Sequence, residues 1–332
     1  MELHQHWAGR ERYTIFDSHY GDGAAVAALI RKWHEDPQRP RHLHIVALDA
    51  SLQPGFHRSP QAEPGVTLDL LSAPIDEALA QLMARIDFAW LHGIEAAGTD
   101  YAAGLARLAA AGARLEGQAL DGQQLAALAA HGFAFDTAGG DVQRAVFASR
   151  KPRPPLPPAP PRRAIVIGAG LAGSAACERL CARGWEVTLI ERNARPAMEA
   201  SGNHAGIYMP LVSRDDNIQT RLIRSSYLYA LRYWEGLGGF GGAIEGAACG
   251  VIQMARDEEN AQVQRAIASE RRYPPAFAQW LEPDAAQAVA GVPVPYGGWL
   301  FPQSGWAHPA SMCEAMLAAC GERLSARFGT GS

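Results

Sequence analysis

Short apolar runs alternate with alanine-rich stretches of helical period through the first half of the chain. "YTIF" at 13–16 gives way to "AAVAALIRKW" at 24–33, and the same change recurs several times. Apolar runs at 13–17, 43–49, 66–71, 88–92, 113–119, 133–138 and 144–149 predict strands, with helices between them near 24–35, 75–85, 100–111 and 122–131. That alternation specifies an α/β fold: a mostly parallel sheet with helices on its faces. The last two runs, "FAFDTA" and "RAVFASR", leave no room for a crossover helix and must pair as a hairpin.

The strongest interruption is "RKPRPPLPPAPPRR" at 150–163, which holds seven of the chain's 22 prolines. Proline fixes φ and donates no backbone hydrogen bond, so this stretch predicts a semi-rigid spacer rather than a helix or strand. It divides the chain into a first domain over 1–150, a linker over 151–162 and a second domain over 163–332. With 332 residues there is enough chain for two ordinary domains.

Composition changes this picture little. The chain is 48% apolar and 19% charged, as expected of a soluble globular protein. Its N-terminus lacks the apolar core of a signal peptide, and "AAVAALI" falls far short of the ~20 residues of a bilayer span. A cytoplasmic location is expected. Cys177, Cys181, Cys249, Cys313 and Cys320 form no CxxC pair, which predicts reduced thiols and no metal site. Residues 1–150 carry 12 basic and 18 acidic side chains, and 151–332 carry 18 and 16, so any nucleic-acid contact must rest on local patches. "RKPR", "PPRR", Arg265, Arg271 and Arg272 are the candidates.

Directly after the linker, "AIVIGAGLAG" runs from a strand into Gly168, Gly170 and Gly173. In such a turn the first glycine permits the bend, the second lets backbone approach a pyrophosphate, and the third lets the helix pack against the strand. Glu191 follows eighteen residues after Gly173, at the end of "WEVTLIE", where a carboxylate can accept hydrogen bonds from ribose hydroxyls. Gly168, Gly170, Gly173, Glu191 and the adjoining Arg192 are therefore candidate dinucleotide-binding residues. The spacing alone leaves FAD and NAD open.

Two later segments narrow that choice by resemblance. "ASGNHAGIYMPLVSRDDN" at 200–217 is similar to the flavin-covering loop of tRNA-modifying oxidoreductases in the amino-acid-oxidase superfamily. "YGGWLFPQSGWAHPASMCEAML" at 296–317 resembles a block of the bifunctional tRNA 5-methylaminomethyl-2-thiouridine biosynthesis proteins, the MnmC family. "TRLIRSSYLYALRYWEGLG", "GVIQMAR" and "EPDAAQAVAGVPVPYGG" follow that family's order, so the resemblance runs from about 162 to 328.

The resemblance implies an FAD-binding Rossmann-type domain with an α+β substrate part. Ser201, Gly202 and Asn203 would contact the flavin, and Pro302, Gly305, Trp306 and His308 would face the substrate. It also implies an activity. FAD would oxidise the carboxymethylaminomethyl group of wobble uridine 34 in tRNA, and a methyltransferase domain would then methylate the resulting amine from S-adenosylmethionine. Trp306 and Trp299 read equally as core residues, and His308 before Pro309 reads as a helix-start hydrogen-bonder or as an acid or base. The chain stops at "RFGTGS", before the family's returning segment, so the late-strand glycines and carboxylate-binding arginine that the resemblance implies are expected to be absent from it.

The first domain resembles the family's class I methyltransferase domain in layout, a parallel sheet ending in a hairpin. There "DSHYGDG" at 17–23 stands where the family has a glycine-rich turn, leaving Asp17, Gly21 and Gly23. His19 occupies a glycine position and Asp22 adds a negative charge. Asp49, ending the next strand, is the ribose carboxylate, and "LHGIEAAGTDY" replaces the family's amine-site motif with His92 and Glu95. These changes predict a weakened S-adenosylmethionine site. A glycine-oxidase-type amine oxidase and an inactive remnant are the alternatives for the whole chain.

Overall fold

The structure, a computed structural model, describes residues 4–52, 54–59, 65–136, 141–148 and 162–329. Most of the proline-rich linker lies outside the described residues. The chain divides into two compact units, Met1–Pro158 and Ala159–Ser332.

The first unit is built on one eight-stranded sheet. After a short helix α1 (His4–Trp7) come β1 (Arg12–Asp17), α2 (Ala24–Glu35), β2 (His42–Leu48), β3 (Gly55–Arg58), β4 (Val66–Ser72) and α3 (Ile75–Gln81). There follow β5 (Ile86–Leu91), α4 (Tyr101–Leu108), β6 (Ala109–Gln118), α5 (Gly122–Ala130), β7 (Phe133–Phe135) and β8 (Val142–Phe147). The strand order is β3-β4-β2-β1-β5-β6-β8-β7. β4, β2, β1, β5 and β6 run parallel, with helices in the connections except between β2 and β4, which are joined through β3. β7 and β8 pair antiparallel as a hairpin, and β8 lies between β6 and β7.

Burial on both faces explains why these strands are nearly continuous in apolar residues. Tyr13, Ile15, Leu43 and Ile45 pack on one face with Trp7, Val26 and Trp33. Phe16, Val46, Leu79, Leu105 and Leu115 pack on the other.

Two elements depart from the apolar pattern. The helix expected over 100–111 ends at Leu108, and the alanines after it begin β6, ten residues long. Alanine favours helix, but Ala109, Ala110 and Ala113 are buried in the sheet, and the pairing with β5 shifts register between Ile86 and Phe88 to admit them. The other is β3, an antiparallel edge strand. "GFHR" has no alternation to announce it. Arg58 forms a two-pronged ion pair with the buried Asp69, which also meets His44, and this ties β3 to β4.

The second unit starts with β9 (Arg163–Ile167), α6 (Leu171–Ala182) and β10 (Glu186–Ile190), then β11 (Gly206–Tyr208), α7 (Ile218–Gly236) and β12 (Gly246–Ala247). β13 (Val251–Met254), α8 (Glu258–Arg271), β14 (Gln279–Leu281), α9 (Pro283–Ala290), β15 (Gly298–Phe301) and β16 (Gly305–Ala307) follow. α10 (Pro309–Ala318) and β17 (Leu324–Arg327) end it. β17, β10 and β9 form a parallel sheet of Rossmann type, with Val187, Leu189, Cys177, Cys181 and Cys320 in the core beside it. Two antiparallel sheets, β11-β16-β12 and β13-β15-β14, complete the unit. Among the described residues no helix is long and apolar enough to cross a membrane.

Candidate cofactor sites

In the second unit the turn after β9 is shaped by its glycines. Gly168 has φ +95°, a conformation that side chains resist, and its N–H donates to the Ile190 carbonyl at 2.8 Å. A Cβ on Gly173 would lie 1.8 Å from the Gly168 carbonyl oxygen, so α6 meets the turn only without a side chain there. Gly170 is the N-cap of α6 and carries no side chain to satisfy the helix's first N–H groups. Ser201 supplies part of that role from thirty residues away: its hydroxyl accepts from the Leu171 N–H at 3.1 Å. The loop that begins at Ser201 is thereby held over the helix start. A Cβ on Gly202 would meet the Ala197 and Glu199 carbonyl oxygens at 2.9 and 3.0 Å.

Glu191 is buried at the end of β10 and closes the turn. Its carboxylate accepts from the Ala169 N–H at 2.7 Å and from the backbone and side-chain N–H groups of Asn193 at 2.8 and 2.9 Å. The Ala169 hydrogen bond is the largest influence on this carboxyl group and holds it below the usual carboxylate range. Arg192 is largely exposed and paired with Glu199. Asn203 lies exposed in the loop. The turn, the helix start and the carboxylate are thus brought together, with α6 packed against the turn as closely as only glycine at 173 allows.

The same loop runs into β11, which pairs with β16: Gly206 opposes Ala307 and Ile207 opposes Trp306. His308 therefore stands one residue beyond β16, beside the start of β11. It is the N-cap residue of α10, yet its side chain makes no capping hydrogen bond. Instead Nδ1 lies 2.8 Å from a Glu245 carboxylate oxygen. Trp306 is half-buried in the middle of β16, whereas Trp299 is a core residue, with its Nε1 donating to Gln264 at 2.7 Å. Pro302 is half-buried and Gly305 buried, with a Cβ on Gly305 only 1.9 Å from the Ala247 carbonyl oxygen.

Of the candidate phosphate patches, "RKPR" lies outside the described residues, as do the prolines of "PPRR"; its two arginines are described, Arg162 donating to the Arg183 carbonyl and Arg163 pairing with Glu186. Arg265 is bound to both Glu258 and Glu282, and Arg271 donates to the Arg214 carbonyl. The five cysteines are free thiols.

In the first unit, sheet order reverses between β1 and β5, and ligands of doubly wound folds bind outside the strand ends at such a point. Asp17, Ser18 and His19 stand at the end of β1, Trp90 and His92 at the end of β5. Asp17 is only 2% exposed, and its Oδ1 accepts from the His19 N–H at 2.9 Å and meets His92 Nε2 at 2.8 Å. The Trp90 ring leans on His92 with centroids 4.3 Å apart, and His19 presents an edge contact at 5.7 Å.

The turn uses its own donors. The Ser18 N–H goes to the Trp90 carbonyl, that of Tyr20 to Leu48, that of Gly23 to Tyr20 and that of Ala24 to Asp22. The His19 ring fills the space beside Gly21 and Gly93, and the Tyr20 hydroxyl lies where a Gly23 Cβ would be. Asp49 turns one carboxylate oxygen onto the N–H and hydroxyl of Ser51. Asp17, Gly21, Gly23 and Asp49 are thus brought to one end of the sheet. Glu245 and the pairing of Asp17 with His92 escaped sequence reasoning because nothing local links residues so far apart.

Residues 163–332 match the profile of the FAD dependent oxidoreductase family (DAO). The tRNA 5-methylaminomethyl-2-thiouridine biosynthesis bifunctional protein MnmC of Azoarcus sp. (strain BH72) is 37% identical over 98% of this chain and 58% of its own length. That of Burkholderia cenocepacia (strain HI2424) is 37% identical over 96% of this chain and 55% of its own. The chain thus spans less than two thirds of the length of these relatives. Among solved structures, glycine oxidase from Bacillus cereus matches with 20% identity and a TM-score of 0.38, covering 51% of this chain and 48% of its own.

Proposed function

The chain belongs to the FAD-dependent oxidoreductase family, and from that premise we propose that it serves in modification of the tRNA wobble uridine. The reaction is oxidative removal of the carboxymethyl group from 5-carboxymethylaminomethyl-(2-thio)uridine at position 34. The observation that carries this reading is the cradle of Gly168, Gly170, Gly173, Ser201 and Glu191, joined by β11 and β16 to His308.

FAD fits these residues. Gly170, the N-cap of α6, has no side chain to bar a pyrophosphate from the helix N-terminus, and the carboxylate of Glu191 stands where a ribose would lie. Gly168, Gly170, Gly173, Glu191 and Ser201 would hold the cofactor, with Gly202 and Asn203 in the covering loop and Arg192 at the rim. Bound there, FAD supplies the acceptor for a hydride from the carbon next to the substrate's secondary amine. The chain's own part is to orient that amine, keep water away and manage its proton. Trp306 and His308 are the side chains we assign to the substrate side.

We infer that the first unit, a parallel sheet ending in a hairpin, is a methyltransferase-like domain, whose family role is to methylate the exposed amine from S-adenosylmethionine. We infer that here it has kept the layout and lost cofactor use. The observation favouring this is the turn at 17–23, where the N–H groups of Ser18, His19, Tyr20 and Gly23 are bonded within the protein and the space is taken by His19 and Tyr20.

Purified protein should take up added FAD with visible flavin bands and oxidise carboxymethylaminomethyl-modified tRNA but not glycine. Absence of flavin uptake would sink the catalytic reading, and oxidation of glycine instead would favour a glycine-oxidase-type enzyme. Calorimetric titration with S-adenosylmethionine should show no micromolar binding; a micromolar Kd would restore the methyltransferase role.

A further inference from the structure

Three hydrogen bonds lock one histidine beside the flavin-loop strand. The His308 N–H donates to the Glu245 carbonyl at 2.8 Å, the Glu245 N–H donates to the Ser311 hydroxyl at 2.9 Å, and that hydroxyl donates to the His308 carbonyl at 2.8 Å. The backbone of His308 is therefore closed into a ring with Glu245 and Ser311. Its imidazole is then fixed by the fourth contact, Nδ1 to the Glu245 carboxylate at 2.8 Å.

A carboxylate can only accept, so Nδ1 must carry the proton, and Nε2 of the neutral ring is left with a lone pair. Among the described residues Nε2 has no hydrogen-bond partner, and it is not sealed from solvent. The ring side chain is 28% exposed and sits directly after the Gly206–Ala307 pair.

We propose that Glu245 is a positioning residue that presents His308 Nε2 as the proton acceptor for a protonated secondary amine, the substrate class of the N-substituted glycine kind. The proton step rests on the oxidoreductase reading above; the orientation of the ring does not. In that step the substrate N–H bond breaks, its electron pair stays on nitrogen, and the proton joins Nε2. The Nδ1–H stays on the ring and keeps donating to Glu245, whose negative charge faces the new imidazolium. The amine is then neutral, as loss of hydride from the neighbouring carbon requires. Carboxylate–imidazole pairs of this form set tautomer and basicity together.

The tautomer is read by long-range proton–nitrogen correlation on protein labelled at histidine, with His308→Ala to assign the signal. Neutral His308 should hold its proton on Nδ1. Glu245→Gln, which keeps an acceptor oxygen, should preserve that tautomer, and Glu245→Ala should return the proton to Nε2. Glu245 is 65% exposed, and its backbone bonds survive either change, so folding is retained. A wild-type proton on Nε2, or a tautomer unmoved by Glu245→Ala, overturns the proposal.

A second readout is single-turnover flavin reduction by carboxymethylaminomethyl-modified tRNA. His308→Ala and Glu245→Ala should each slow it, His308→Ala by about 100-fold at neutral pH, with recovery at high pH where solvent deprotonates the amine. A loss that does not depend on pH overturns the proton role. Wild-type protein that binds no flavin would instead defeat the oxidoreductase reading, while the tautomer still decides the role of Glu245.

Discussion

Asp17 and His92, seventy-five residues apart, meet at 2.8 Å between the ends of β1 and β5. Burial is the largest influence on Asp17 and raises its carboxyl group above the usual range, against the opposing pull of the His19 N–H and His92. The folded state thus holds this proton more tightly than the unfolded chain does. Stability from Asp17 is fully present below the ordinary carboxylate range and falls as pH rises through its raised value. Asp17→Asn removes the buried charge yet leaves an oxygen to accept from His19. Thermal melts should show the variant gaining on the wild type as pH is raised from about 3 to 7; a variant that loses ground over that range would refute the account.

Gly173→Ala tests the cradle. The added Cβ would fall 1.8 Å from the Gly168 carbonyl, an impossible contact that must push α6 from the turn. Overpacking of this kind costs about 1–3 kcal/mol. Flavin affinity, followed by visible absorbance during titration, should fall by at least about tenfold, whereas Ala at Gly236, where nothing lies within 4 Å of the new Cβ, should leave it unchanged.

The cradle was legible because its parts are local or regularly spaced. A strand, three glycines, a helix and a terminal glutamate lie within 163–191, and each is dictated by backbone geometry there. The first unit's parallel strands were equally plain, since both faces are buried and apolar runs result. Ala109–Ala111 misled because helix preference is intrinsic while strand pairing with Ile86 is tertiary. β3 was silent because an ion pair to Asp69, rather than alternation, holds it. His308 could be named from the block at 296–317 that resembles the MnmC family, but its partner Glu245 is sixty-three residues away and no periodicity joins them.

Glu191→Gln should weaken flavin binding without unfolding the unit. The amide presents an NH₂ where one carboxylate oxygen now accepts from Ala169 or Asn193, so one donor pair is left facing another. Hydrogen bonds to charged groups contribute about 1.5–3 kcal/mol, which corresponds to roughly 10- to 100-fold in Kd. The depressed carboxyl also sets a direction in pH. Its contribution is present above the ordinary carboxylate range and is lost as pH falls through its lowered value, so the stability gap between wild type and Glu191→Gln should narrow in acid. A gap that widens as pH drops would contradict this.

Tyr233→Phe probes how the nucleotide helix is tied to α7. Glu178 on α6 is only 5% exposed; it is paired with Arg179, and it accepts from the Tyr233 hydroxyl at 2.7 Å. The Arg179 guanidinium also lies over the Tyr233 ring, 4.7 Å from its centroid, and donates to the Tyr229 hydroxyl at 3.1 Å. The ring and its cation contact survive in Phe, so the variant isolates the hydroxyl. A buried carboxylate deprived of one donor costs about 1–3 kcal/mol. Denaturant unfolding should show that loss, and Glu178→Gln in the Phe background should change stability by less than Glu178→Gln does in the wild type, because the two groups act as one contact. Fully additive losses would mean that Tyr233 and Glu178 stabilise the packing of α6 on α7 independently.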